Sequence, residues 1–395
     1  MQRTLLSLTC AALGLAGTLT AQGTDGASVL IRAGKLIVAP GEVLAGNDAR
    51  ILIRNGKVAG IGASIPAEAA RRARQIEWAD ACVAPGLVAV HDLLDQGADL
   101  GESIDAFTPS LVTADAFDPF GEALAERPRT GVTALALAPT SDNTFGGLAC
   151  VVKPGAGDMG GQVLPNTGYL KLALVRESLK NDRFPTSRMG AADLIRSAFG
   201  DARRPLGATG EGTRVVRGAL EGAMPIAIHA RTHAEMTTAL DLAAEFDVTP
   251  ILLEVQDIED KMLERLRGSG VSLALAPLGY GSTDEQLEMP ARLHAAGVRF
   301  SFLATRGTDL RRAAALAVGH GLDRAAALAA ITQVPAEQIG AGERVGTLRV
   351  GRDADFVVLT GDPVDLSARL LQVWIGGEPV HAAATHGQEG QEAAR

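Results

Sequence analysis

Hydrophobic and polar positions along this 395-residue chain fall into distinct regimes. Near the start, apolar residues alternate with polar ones in short runs: VLIRAGKLIVAP, ARILIRNGKVAGIGA and ARQIEWADACVAP. Such a period of two predicts half-buried strands, and Asn55-Gly56 between two of these segments predicts a hairpin turn. The region 345–381 has the same character, in VGTLRVGRDADFVVLTGDP and LLQVWIGGEPV. Between these ends, short continuous apolar runs predict buried strands at 84–91, 132–139, 168–175, 225–230, 249–255, 271–277 and 298–305. Helical periodicity follows at 189–199, 211–222, 232–246, 257–268, 283–296, 308–319 and 323–333.

Strands apolar on both faces, alternating with helices, predict an α/β fold with a parallel sheet: a (β/α)8 TIM-like barrel over residues 84–340. The two β-rich ends, 22–83 and 341–382, are expected to pair as one small composite β-sandwich. The segment 141–165 carries six glycines, too many for a regular element, and is expected to form a hairpin or loop at the barrel mouth. No Gly-Lys-Ser/Thr follows it, which argues against a phosphate cradle. The polar tail 383–395 is expected to be disordered.

Aromatics make up only 4% of the chain against 47% hydrophobic residues, so the core must be built of Ala, Val, Leu and Ile. A net charge of −9 argues against nucleic-acid or anionic-membrane surfaces, which need clustered Lys and Arg. Residues 1–21 read as a secretory signal: Arg3, an apolar run from Leu5 to Leu19, and a cleavage point near Ala21. The run is short and broken by Gly14 and Gly17, against the ~20 apolar residues of a span. The expectation is export to the periplasm or beyond, with no membrane contact once the signal is removed. Cys82 and Cys150 then remain, each in an apolar run where a thiol acts as a small hydrophobe, with a disulfide between them as the alternative.

The run 84–93, APGLVAVHDL, resembles the first barrel strand of the amidohydrolase superfamily, which ends in His-x-His. Arg344-Val345-Gly346-Thr347-Leu348, Gly351-Arg352-Asp353-Ala354-Asp355 and Gly361-Asp362-Pro363 resemble that family's run RVGSLxxGKDADLVVxxGDP. Gly131-Val132-Thr133 and the run from Pro185 to Gly190 resemble further segments of its imidazolonepropionase-like branch. The two carboxylates of Asp353 and Asp355 read as turn acceptors of backbone N–H groups rather than as an acid/base pair.

The resemblance implies metal-dependent hydrolysis of non-peptide C–N bonds, such as cyclic amides. Its metal ligands would come from His-x-His on the first strand, one His on each of two later strands and an Asp near the last. A carbamylated Lys joins them in some members. Here His91 is present, but Leu93 stands where the second histidine belongs, and Asp92 should face the other side of its strand. His229, in the run PIAIHA, matches the next ligand, followed by Arg231 where relatives carry another His. On the third strand Val255 takes the ligand position, unless the register slips by one and Glu254 takes it. Thr305 occupies the place of the carboxylate base, with Arg306 beside it and Asp309 further on. Lys171 resembles a Lys common in the branch, read either as carbamylated or as a buried stem with a solvated head.

Loss of several ligands predicts a family member released from metal chemistry, with no resident cofactor. It would act as a binding or partner subunit, as a homo-oligomer or beside an active paralogue. Its pocket would take a small ligand, with Arg231 and Arg306 favouring an anionic one. The alternative is an active hydrolase holding zinc or another divalent metal through rearranged ligands from His91, His229 and Glu254, or Asp92 or Asp95. No GxSxG elbow is present, which argues against the common serine-hydrolase pattern.

Overall fold

The computed structural model describes residues 28–155, 159–204, 210–303 and 310–383. The segment expected to be an export signal, most of the polar tail, and Thr305, Arg306 and Asp309 lie outside the described residues. Among the described residues the fold is a mixed α/β one, with three sheets. Among the described residues no helix is long and apolar enough to cross a membrane.

The alternating ends of the chain form one sheet of eight strands. Arg74–Pro85 runs parallel to Val29–Ala39 on one side. On its other side it pairs antiparallel with Phe356–Leu359, Val83 opposite Val358, so both ends of the chain meet in one ladder. The expected turn is present: Asn55 and Gly56, both at positive φ, join Arg50–Arg54 to Lys57–Ile61 in an antiparallel hairpin.

The continuous apolar runs form seven parallel strands in two groups. Leu87–Asp92 pairs with Val132–Leu137. Leu170–Ala173, Ile226–His229, Ile251–Val255, Ser272–Leu275 and Phe300–Phe302 follow one another in order. Each begins and ends within three residues of the expected bounds, because apolar alternation across two buried faces is what defines them. Side chains of one parity (Leu135, Leu172, Ile228, Leu273) pack in the main core. Those of the other (Val88, Val90, Ala134, Ala136, Ala227, Leu253, Ala274) form a separate, mostly small-residue cluster. Small residues suit an inner face where converging strands leave little room.

The glycine-rich segment is in part the expected hairpin, but it carries more regular structure than expected. It is not devoid of regular structure: Phe145–Leu148 joins Leu170–Ala173 and Cys150–Lys153 joins Val132–Leu137, both antiparallel. The segment thus inserts between the two parallel groups, with Gln162–Leu164 completing a hairpin on Cys150–Lys153. The close approach needs glycine: a Cβ on Gly168 would lie 1.9 Å from the Ala149 carbonyl oxygen. Strand ladders do not close the ring on the other side. There the backbone at Ala330 and Ile331 accepts from Phe302 and Val88 N–H groups instead. This is also why the last expected helix, 323–333, stops at Ala329 and resumes as Gln333–Gln338.

Asp353 and Asp355 do more than accept turn hydrogen bonds. Asp355 does take the Gly376 N–H. Yet Lys153, on the inserted segment, binds both carboxylates at 3.0 and 2.6 Å, and Lys57 and Arg344 also hold Asp353. The pair therefore clamps the terminal sheet to the α/β region through buried charges. Cys82 and Cys150 are separate buried thiols, not a disulfide, and burial pushes the Cys82 thiol up to about 11.

Candidate functional site

A cavity of about 440 Å³ opens at the C-terminal ends of the parallel strands, where such folds place their chemistry. His91, Asp92, Ser141, Lys171, His229, Arg231 and Glu254 line it. The structure thus gathers the described candidates His91, Asp92, Asp95, Lys171, His229, Arg231 and Glu254, and adds Ser141, Arg127, Asp142 and Glu177, which the sequence reading missed.

His229 is fixed at the end of Ile226–His229, on the inner parity set by Ala227, and is 6% exposed. The next residues enter a helix whose capping box holds them: Glu235 accepts from the Arg231 and Thr232 N–H groups, and Thr232 accepts from Glu235. His233, on that helix, is exposed.

Glu254 reaches the site through a backbone irregularity. The pairing of Ile251–Val255 with Ser272–Leu275 slips between Leu253 and Val255, and Glu254 sits at φ +61°. Leu253 belongs to the inner cluster, but Val255 packs in the outer core, against simple alternation. A bulge of this kind changes which face the following side chains occupy. The bulge therefore brings the Glu254 carboxylate, the alternative weighed against Val255 from sequence, to the cavity in place of valine.

The two residues meet directly. His229 Nε2 lies 2.6 Å from Glu254 Oε2, and His229 Nδ1 lies 2.6 Å from Ser141 Oγ. Arg231 Nε is 3.1 Å from the same Glu254 oxygen, and its Nη2 donates to Glu177 at 2.6 Å. A ring nitrogen that donates to a carboxylate cannot also accept, so the Arg231 Nε–H goes to Glu254 although Nε2 is only 3.3 Å away. Against the penalty of burial, the His229 hydrogen bond and the His229 and Arg231 charges hold the Glu254 carboxyl below its usual range. Burial, with the Lys171 and Arg231 charges, lowers His229 despite Glu254.

Ser141 stands on a pinned loop beyond Val132–Leu137. Thr140 donates to Asp142, Lys180 pairs with Asp142 at 2.8 Å, and Arg183 donates to the Asp142 carbonyl. The signal available in the sequence was position: a polar Thr-Ser-Asp-Asn run just past a parallel strand.

The remaining residues hold other partners. His91 Nδ1 lies 3.1 Å from the Tyr169 hydroxyl, which donates to the Val90 carbonyl. Burial and the Lys171 and His229 charges push His91 well below its ordinary value. Asp92 is tied by both oxygens to Arg127, at 2.7 and 2.9 Å, and also takes the Leu94 N–H. Lys171 does not keep a solvated head: it is 1% exposed and donates to the Pro139 carbonyl. Burial brings it down to about 7, with Glu254 and Asp142 opposing. Arg231 is matched by two glutamates rather than standing ready for an anion.

These donors do not fit a divalent ion. Both nitrogens of His229 are engaged within the protein, and Glu254 shares its oxygen with a guanidinium, where a second cation would be repelled. Among the described residues no group of three or more His, Cys, Asp or Glu side chains is arranged to hold a metal.

The comparisons agree with the fold. The Amidohydrolase family model Amidohydro_3 matches residues 295–381. Amidohydrolase tasK of Hapsidospora irregularis is 25% identical over 334 residues, covering 72% of this chain and 34% of that protein. Imidazolonepropionase of Stenotrophomonas maltophilia is 30% identical over 185 residues, 44% of each chain. The chain thus spans less than half the length of either relative. An amidohydrolase from Thermotoga maritima superposes with a TM-score of 0.77 at 24% identity, over 90% of this chain and all of that one. A zinc-bound adenosine deaminase from Xanthomonas campestris shares the fold at a TM-score of 0.51 and 19% identity, covering 90% and 93%. The chain thus shares the fold of amidohydrolases, and its C-terminal part is similar in sequence to that family, with imidazolonepropionase among the similar proteins.

Proposed function

We propose that this chain keeps the family's pocket but not its metal-activated water, and binds a small uncharged carbonyl compound there. The observation that carries the reading is His229, whose two ring nitrogens are taken by Ser141 and Glu254. Metal hydrolysis needs ligands with free lone pairs around an open position. Here the lone pairs serve a network internal to the protein. Cations in the pocket are each met by acids or carbonyls: Arg127 by Asp92, Arg231 by Glu177 and Glu254, Lys171 by Pro139. That balance favours a ligand without net charge over the anionic one expected from Arg231 and Arg306.

In this reading the parallel strands with their inserted segment are a distorted (β/α)8 barrel over 84–340, and the terminal sheet is the core of the composite β-sandwich. The signal in residues 1–21 directs export.

The test is metal analysis of the purified protein. Substoichiometric zinc, iron and manganese, with a melting temperature unmoved by chelator, is the expected result. One equivalent of metal that disappears in His229→Ala refutes the proposal.

A further inference from the structure

We propose that Ser141 is a nucleophile, activated by His229 and oriented through Glu254, that accepts acyl groups from carboxylic esters or amides bound in the pocket. This rests on the metal-free reading of the site and deepens it, by giving the same cavity a covalent chemistry.

The geometry has the parts such chemistry needs: a hydroxyl on a base, and the base on a carboxylate, both at 2.6 Å. In the neutral histidine, Nε2–H donates to Glu254 Oε2, which leaves the Nδ1 lone pair to accept the Ser141 O–H. The nitrogens are used in the opposite sense from the familiar serine triad, but imidazole transfers protons through either, and the roles depend on geometry rather than chain order. Ser141 is held by neighbours that are themselves fixed: Thr140 on Asp142, Asp142 on Lys180, and Arg183 on the Asp142 carbonyl.

A second, independent feature points the same way. Glu254 holds a left-handed backbone conformation that non-glycine residues rarely adopt. Strain of this kind persists where surroundings over-determine it, and here it brings the carboxylate to His229. A relaxed strand would present Val255 instead.

The step balances without any co-reactant other than water. Ser141 Oγ attacks the carbonyl carbon as its proton passes to His229 Nδ1. The carbon–heteroatom bond then breaks, and the leaving alcohol or amine takes that proton, leaving an acyl ester on Ser141. Water attacks the ester, giving one proton to His229, which returns it to Ser141 as the carboxylic acid departs.

The experiment treats the metal-free protein with a fluorophosphonate, which traps an activated serine by losing fluoride from phosphorus, and maps the adduct by mass spectrometry. We expect one equivalent on Ser141, none in Ser141→Ala, and labelling slowed about 100-fold in His229→Ala, the scale of a general base. Glu254→Gln serves as the milder variant and should slow labelling about tenfold; melting curves confirm that each variant folds. No adduct on Ser141, or a rate unchanged in a folded His229→Ala, overturns the inference. If the protein is metal-free yet unlabelled, the serine chemistry fails alone. If it holds one equivalent of metal through His229, the reading beneath it fails as well.

Discussion

Lys171→Met is a sharp test of the electrostatics of this site. The lysine is 1% exposed, and its fall from 10.5 to about 7 means that the folded state disfavours the charged form. At 1.36 kcal/mol for each tenfold in proton affinity, that is about 5 kcal/mol. The sign follows from proton counts. Between pH 7 and 10.5 the unfolded chain holds a proton on this lysine that the folded chain has lost, so stability rises with pH across that window. Below pH 7 both states are charged and the whole penalty remains.

Methionine carries no such penalty but leaves the Pro139 carbonyl without its partner, at about 1–3 kcal/mol. At pH 6 the variant should therefore be more stable than wild type by about 2–4 kcal/mol, the difference of those two terms. By about pH 10 the order should reverse, because only the lost hydrogen bond is left. Urea unfolding of both proteins at intervals from pH 6 to 10 measures the difference, in which other titrating groups largely cancel. A variant less stable at pH 6, or a gap that does not change with pH, would refute the reasoning.

Two further outcomes follow from packing and charge at the seam between the sheets. Lys153→Met strands the Asp355 carboxylate, only 2% exposed, and should cost about 3–5 kcal/mol in urea unfolding. Adding Asp355→Asn should recover part of the loss. Gly86→Ala would place a Cβ 2.1 Å from Thr133 Oγ1 and should lower stability by about 1–3 kcal/mol, relieved by Thr133→Ala.

How legible was this in the sequence? Val132–Leu137 and Ile226–His229 were readable because strands buried on both faces leave uninterrupted apolar runs. His229 was readable because it closes such a run. Glu254 was readable only as the alternative to Val255, since alternation assigns Val255 to the site and nothing in ILLEV announces a bulge; glutamate is not a residue that favours positive φ. Ser141 was passed over because it opens the segment 141–165, read as a glycine-rich hairpin or loop rather than as the antiparallel insertion it carries. Asp92 looked available until Arg127, distant in sequence, claimed both its oxygens. Long-range pairing decides these cases, and local pattern carries no record of it.

The joining of both termini in one ladder shapes how the chain is made. Arg74–Pro85 leaves the ribosome early, with Val29–Ala39 along one side and a bare row of backbone donors and acceptors along the other. That row waits until residues 356–359 emerge, after the entire α/β region. Throughout synthesis it is an open template for any extended peptide, including a neighbouring nascent copy. Emergence of residues 356–359, rather than collapse of the middle of the chain, is the event that shields it.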